Sequence, residues 1–395
     1  MKRIYMDNAA TTAMSDHVID EMARLQKEFY GNPSSMHTEG TKAFSVIDGA
    51  RKKIAACFGC EPNEIYFTSG GSESDNWALK GAAELMAKKG KKHIISTTIE
   101  HHAILHALDT LKKQGFEVTL VPVNAAGFVS AREIESAMRD DTGLVTVMYA
   151  NNEIGTIQPI SEIGALCCEK KILFHTDAVQ AVGHININVR NENIDMLSLS
   201  AHKFHGPNGI GALYLKKGIA LPNLIDGGGQ ERGRRAGTEN VAAAHAMALA
   251  LEDCLKNIDE YSKKMRAIRD KLIDGALKIE RSRLNGSREN RLDGNVSLCF
   301  EGVEGEALLL SLDMYGIAAS SGSACTSGSL DPSHVLLALG MPHEIAHGSL
   351  RLSLCETNTL AEADKVLEVL PQIINKLRDM SPVWERIIKG DKYGI

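Results

Sequence analysis

The chain has 395 residues, a formal net charge of −6, an apolar fraction of 44% and a charged fraction of 24%, which is the make-up of an ordinary globular protein with room for two domains. Lys and Arg are spread along it without a basic stripe, arguing against nucleic acid and anionic membrane as partners. No apolar run approaches a membrane span and no early stretch reads as a signal peptide, so a cytoplasmic location is expected. Eight cysteines are too few for a disulfide scaffold at this length, which leaves each as core filler or reactive thiol.

A short apolar strand, Ile4 to Met6, leads into Asp7-Asn8-Ala9-Ala10-Thr11-Thr12, a small polar run suited to lying over a ligand and equally to a plain turn. Ser15 caps a helical pattern through Val18, Met22, Leu25 and Phe29; Gly31 ends it, and a loop, Gly31-Asn32-Pro33-Ser34-Ser35, precedes a second helix running to about Gly59. Cys57-Phe58-Gly59-Cys60 has C-x-x-C spacing, but no second pair or nearby histidine follows at zinc distance, so it is assigned to the core. From Ile65 the pattern alternates, with strands at Ile65 to Thr68, His93 to Ser96, Val118 to Val123, Leu144 to Ala150, Ile172 to His175 and Met196 to Leu199, and helical segments between most of them. That order predicts a mainly parallel α/β sheet covered on both faces. Ser130-Ala131-Arg132-Glu133 reads as a capping box. Val241 to Leu277 is a long helical pattern expected to break at least once. A last alternating region (Val296 to Phe300, Gly305 to Met314, Leu350 to Leu354, Leu360 to Arg378) predicts a compact α+β domain.

Ligand sites of open α/β sheets lie outside the carboxyl ends of the strands, and four passages there carry candidate chemistry. After the Ile65 strand, Thr68-Ser69-Gly70-Gly71-Ser72-Glu73-Ser74 brings glycines and a helix N-terminus together as a phosphate cradle. It lacks the Gly-Lys-Ser/Thr of a nucleotide P-loop and the spacing of a dinucleotide fingerprint. After the His93 strand, Glu100-His101-His102 places an imidazole where it can stack on a ring or pass protons. Asn151-Asn152-Glu153 follows the Leu144 strand with amide donors, and Asp177 follows the Ile172 strand, where a carboxylate can keep a pyridine nitrogen protonated. Lys203 follows the Met196 strand, before a turn made by Gly206, Pro207, Gly209 and Gly211; there its amine can form a Schiff base with a carbonyl cofactor. Each alone has a plainer reading, as a surface lysine, a helix cap or a Gly-rich turn. Together they point to a phosphorylated carbonyl cofactor.

These stretches, with Tyr5 to Thr12, Gly31 to Ser35, Gly227 to Glu231, Gly237-Thr238-Glu239-Asn240 and Ser320 to Ser329, resemble the cysteine desulfurases of the NifS/IscS type over nearly the whole chain. The resemblance implies a fold type I pyridoxal-phosphate enzyme of the class V aminotransferase family. Its large domain, 15–255, would hold a mainly parallel seven-stranded sheet, and a smaller α+β domain, 1–14 and 256–395, would carry the cysteine loop. It implies that Lys203 carries pyridoxal 5'-phosphate, that Asp177 pairs with the pyridine nitrogen, that His101 stacks on the ring and that Gln180 bonds its phenolic oxygen. Gly71, Ser72, Ser200 and His202 would hold the phosphate, and Thr238 would reach the partner's phosphate in a homodimer. Asn152, which would also contact the cofactor, and Arg351 would receive the substrate carboxylate. Cys325, alone among small residues in Ser320-Ser321-Gly322-Ser323-Ala324-Cys325-Thr326-Ser327-Gly328-Ser329, would take sulfur from L-cysteine as a persulfide. The sulfur would then pass to an acceptor such as an iron-sulfur cluster scaffold, in complex with which Cys325 could ligate a cluster. Cys167, Cys168, Cys254 and Cys299 are assigned to packing. Two positions depart from the family's pattern: Cys355, where a glycine is usual, and Asn208, where a lysine is common. Cys355 is assigned to filling space, with a second reactive thiol as the alternative, and Ser72, often a threonine in the family, keeps the hydroxyl. The rival readings are a lyase or aminotransferase that needs no protein thiol, and a binding protein that kept the fold without the chemistry.

Overall fold

A computed structural model describes residues 3–321 and 332–389. In chain order β1 (Ile4–Tyr5) precedes α1 (Asp16–Glu28) and α2 (Thr38–Phe58). The Ser15 hydroxyl accepts from Val18 N to start α1, and Gly59, at φ 68°, ends α2. The alternating region follows as β2 (Ile65–Thr68), α3 (Gly71–Ala87), β3 (His93–Thr97), α4 (His102–Lys113), β4 (Glu117–Val121), α5 (Ala131–Ser136), β5 (Thr142–Thr146), α6 (Ile160–Lys170), β6 (Leu173–Asp177), β7 (Met196–Ser200) and β8 (Gly211–Leu215). The Ser130–Glu133 capping box opens α5 with both of its reciprocal bonds made.

These strands form one seven-stranded sheet in the order β2-β8-β7-β6-β5-β3-β4. Only β8 runs against its neighbours, β2 and β7; the rest pair in parallel. Alternate residues feed two cores. Ile65, Phe67, Ile95, Val145, Leu197 and Leu199 pack with Ile47 and Ile54 of α2, while Tyr66, Ile94, Leu144 and Met196 pack with Trp77 and Leu79 of α3 and Leu108 of α4. Burial on both faces is why β3, β5, β7 and β8 are buried at every position. Two strands stop short of their sequence patterns. At the sheet edge β4 ends at Val121, whose carbonyl accepts from Thr98 N. After Thr146 the backbone still reaches β6 through Val147 N to His175 O and Tyr149 N to Asp177 O. It then curls at Asn151, whose side-chain oxygen takes the amides of Glu153 and Ile154.

The long helical pattern divides at Asn257 into α7 (Val241–Lys256) and α8 (Ile258–Ala276). Then come β9 (Ser282–Leu284), β10 (Asn295–Phe300), α9 (Gly305–Met314), β11 (Ile317–Ala318), α10 (His334–Ala338), α11 (His343–Ala346), β12 (Ser349–Ser353), α12 (Leu360–Asp379) and α13 (Pro382–Ile388). An antiparallel sheet, β12-β10-β9, packs on α8 and α12 through Ile268, Leu272, Phe300, Leu352, Val366 and Leu370. Ile4 and Met6 join that core, and β1 pairs with β11. The N-terminal segment is therefore held by the C-terminal region, with Ser353 N on Met6 O at 2.8 Å.

Cys167, Cys254, Cys299 and Cys355 are buried, and burial pushes the Cys167 and Cys254 thiols up to about 12 and Cys299 to about 11. Cys57 and Cys60 sit half-buried against the main core. Cys168 is exposed, which corrects its assignment to packing: one residue along α6 from buried Cys167, it is turned to solvent.

Candidate active site

The carboxyl ends of β2, β3, β5, β6 and β7 open on one cavity of about 280 Å³. It is lined by Gly71, Ser72, His101, Asn152, Asp177, Gln180, Ser200, His202, Lys203 and Arg351. Thr238 lies elsewhere, in a cleft with Ser69, Gly209 and Glu239. Cys325 lies outside the described residues.

Strand β7 ends at Ser200, and a single 3-10 turn, Ala201–Lys203, presents the lysine. Lys203 Nζ donates to the carbonyls of Ala9 and Ala10 at 2.6 and 2.8 Å. The polar run after β1 thus does lie over the site, tied there by Thr12 N to His202 O at 2.9 Å and by Gln180 Nε2 donating to Ala9 O at 2.8 Å. His101 caps α4: its Nδ1 accepts from Ala103 N at 3.1 Å, which places the ring proton on Nε2. Asp177 Oδ1 accepts from Val179 N at 2.9 Å. Burial raises the Asp177 pKa, while the neighbouring His101, the hydrogen bond from Val179 N and Lys203 pull it back down. Behind it, Asp75 is held well above the usual carboxylate range by burial and by the charge of Asp177. Of this pair Asp75 is the one held further towards its protonated form.

A cofactor with a phosphate, a ring nitrogen and a carbonyl fits what is present. The amides at the start of the 17-residue helix α3 face the cavity through Gly71 and Ser72, a ready anion site. A Cβ on Gly71 would come within 2.6 Å of Val179 Cγ2, and one on Gly211 within 2.7 Å of the Gly70 Cα, so the cradle closes only with glycine at both positions. Beside it His202 is neutral, pushed down to about 4 by burial and then by Lys203. At the ring end the buried Asp177 carboxyl is placed to pair with a protonated ring nitrogen.

Strand β12 contributes Arg351 to the cavity. Arg351, with only 4% of its side chain exposed, donates through Nη2 to Asp7 Oδ1 at 3.0 Å and through Nη1 to Asn152 O at 3.1 Å. Its Nε is buried without a hydrogen-bond partner among the described residues. Asp7 was legible only as part of a polar run. Three further acids were missed. Asp75 sits on the buried face of α3, and a carboxylate there, two residues before Trp77, was the available signal. Glu100, pushed up to about 8 by burial, accepts from Thr97 Oγ1 and Met148 N and joins the ends of β3 and β5. Glu153, pushed up to about 7 by burial, accepts from the Ser333 hydroxyl that caps α10.

Sheet order, cradle, lysine and carboxylate together define a fold type I pyridoxal-phosphate enzyme. The model of the class-V aminotransferases matches residues 4–366, and the chain belongs to that family. Within it the chain falls among the cysteine desulfurases. It is 54% identical to the cysteine desulfurase IscS of Clostridium botulinum strain Hall over 392 residues, 98% of each chain. It is 55% identical to the cysteine desulfurase IscS of Methanosarcina thermophila, over 97% of this chain and 94% of that one. A solved NifS-like protein superposes with a TM-score of 0.89 at 40% identity, covering 95% of this chain and all of the other.

Proposed function

We propose that the chain converts L-cysteine to L-alanine and takes the sulfur on Cys325 as a persulfide, for delivery to an acceptor protein such as an iron-sulfur cluster scaffold. The observation that carries this reading is the meeting of the Lys203 amine, the Asp177 carboxylate, the His101 imidazole, the α3 N-terminus and the Arg351 guanidinium around one cavity. Gly71, Ser72, Ser200 and His202 hold the cofactor phosphate, and Asp177, Gln180, His101 and Lys203 hold its ring. Bound there, pyridoxal phosphate supplies a carbonyl carbon for amines and a protonated ring that stores electrons.

Arg351 and Asn152 bind the substrate carboxylate, a role that suits the planar guanidinium and its unpartnered Nε–H. Lys203 Nζ takes the α-proton as general base, and His101 Nε2 exchanges the proton of the substrate thiol. Cys325 Sγ, as thiolate, attacks the substrate sulfur. The carbon–sulfur bond breaks, a sulfur–sulfur bond forms, and the released electron pair takes a proton to become the methyl group of alanine. Cysteine plus thiol gives alanine plus persulfide, so no external oxidant is consumed. Incubation with L-cysteine is expected to yield alanine together with one added sulfur on the Cys325 peptide, read by mass spectrometry; sulfide release with no sulfur ever on Cys325 counts against the relay.

The same reading gives Asp177 a role distinct from binding. Asp177→Ala is expected to take up the cofactor yet to exchange the α-proton of cysteine about 10²-fold more slowly or worse, since an unprotonated ring is a poor electron sink. Exchange in deuterated water at the wild-type rate would remove that assignment.

We assign a homodimer with shared sites and a cytoplasmic location. Thr238 lies outside its own subunit's cavity, as a residue serving the partner's phosphate must, and Glu239 beside it has a buried Oε2 without a partner among the described residues. Sedimentation at assay concentration is expected to give a dimer; a fully active monomer refutes the assignment. No helix among the described residues is long and apolar enough to cross a membrane.

A further inference from the structure

Two residues beyond Lys203 the chain bends through His205, whose backbone is in the left-handed region at φ 63°. Two bonds to the polar run fix this residue. Its N–H donates to Thr12 Oγ1 at 2.8 Å, and its ring Nδ1 lies 2.7 Å from Ala13 O. A carbonyl accepts only, so Nδ1 carries the hydrogen and the other ring nitrogen, Nε2, is the one free to bind. Nε2 faces Glu356 Oε2 at 3.1 Å. Next to Glu356, two residues beyond the end of the strand that carries Arg351, is Cys355. Its Sγ and the ligand atoms of His205 and Glu356 all lie within 4.8 Å of one another.

Two electron-rich atoms at 3.1 Å are held together by a cation between them, either a proton or a metal ion. The spacing fits a hydrogen bond and accommodates the second case as well. Bonds of about 2.0 Å from a tetrahedral zinc ion to nitrogen and oxygen separate those two ligand atoms by about 3.3 Å. An imidazole whose far nitrogen is bound to a backbone carbonyl is also how metal-ligating histidines are oriented. Thiolate, imidazole and carboxylate in one cluster match the ligand preference of zinc rather than of magnesium or calcium. No other group of three such side chains occurs among the described residues.

We propose that His205 Nε2, Cys355 Sγ and Glu356 Oε2 form a zinc-class metal site, with the fourth position open to water. It is separate from the cofactor cavity, since none of the three residues lines that cavity. It joins the segment leaving β7 just after Lys203 to the segment leaving β12 just after Arg351. An ion there clips the lysine-bearing turn to the arginine-bearing strand, and does so whatever roles Lys203 and Cys325 play.

The test uses the full-length, untagged holoenzyme carrying Cys325→Ser, so that this thiol cannot contribute. Zinc is added after chelator treatment and unbound metal is removed by desalting. One zinc per protomer is expected to remain, with X-ray absorption showing one sulfur neighbour at about 2.3 Å and nitrogen or oxygen neighbours at about 2.0 Å. Thermal unfolding is expected to move upward with zinc. Adding Cys355→Ser, or separately Glu356→Gln, is expected to weaken binding by more than the about 10–100-fold that loss of an outer partner costs. The zinc-dependent shift in unfolding should vanish with it. The proposal fails if no zinc is retained, which leaves His205 and Glu356 as a proton-bridged pair. It fails equally if the absorption spectrum lacks the sulfur, or if both variants hold zinc as tightly as their parent.

Discussion

Lys203→Ala is expected to purify without a borohydride-reducible link to pyridoxal phosphate and to lose about 10⁴-fold or more in alanine formation from cysteine. The loss is large because one atom, Nζ, has two proposed tasks. As a nucleophile it tethers the cofactor, and as a base it takes the α-proton, a step commonly worth about 10²–10⁴-fold by itself. Among the described residues no other lysine lines the cavity. The fold should survive. Lys203 Nζ is bonded to the carbonyls of Ala9 and Ala10 at the cavity wall, and water can take over those acceptors, so the cost is at most about 1–3 kcal/mol. Circular dichroism and thermal unfolding check that point. Intact mass after borohydride reduction checks the link, and a variant that still shows the cofactor's added mass moves the tether to another residue.

What could be read from the chain follows from the scale of the signal. The sheet was legible because strands buried on both faces must be nearly all apolar, and runs such as Met196 to Leu199 stop where the chain meets the ligand edge. The break at Asn257 was not placed, since the pattern of α7 continues into α8 with only a one-residue interruption of helical geometry. Cys168 misled because it adjoins a buried cysteine, and one residue turns a helix by about 100°. The acids were hardest. Asp75 and Glu100 look in sequence like ordinary surface carboxylates, and what sets them apart is burial beside Asp177 or between strand ends, which only packing creates. The pairing of Arg351 with Asp7, and of Cys355 and Glu356 with His205, joins residues from distant parts of the chain. No local pattern encodes such contacts.

Cys325→Ser separates the desulfurase mechanism from its rivals, because the thiol acts after substrate capture and proton removal and before sulfur leaves. The residues assigned to the early steps, Lys203, Asp177, Asn152 and Arg351, line the cavity together, and the substitution exchanges one small polar side chain for another in a stretch of Gly, Ser, Ala and Thr. Stability is expected to change by no more than about 0.5 kcal/mol. Cysteine should still bind, alter the visible spectrum of the holoenzyme and exchange its α-proton at close to the parent rate. Alanine and persulfide should fall to background, a loss of at least about 10³-fold, because the serine hydroxyl is not ionised at neutral pH and no base is assigned to activate it. A lyase or aminotransferase acting without a protein thiol has no use for Cys325 and would keep turning over. Alanine formed by Cys325→Ser at the parent rate therefore discards the sulfur relay, while proton exchange without alanine places the block at the carbon–sulfur bond, where the thiol is proposed to act.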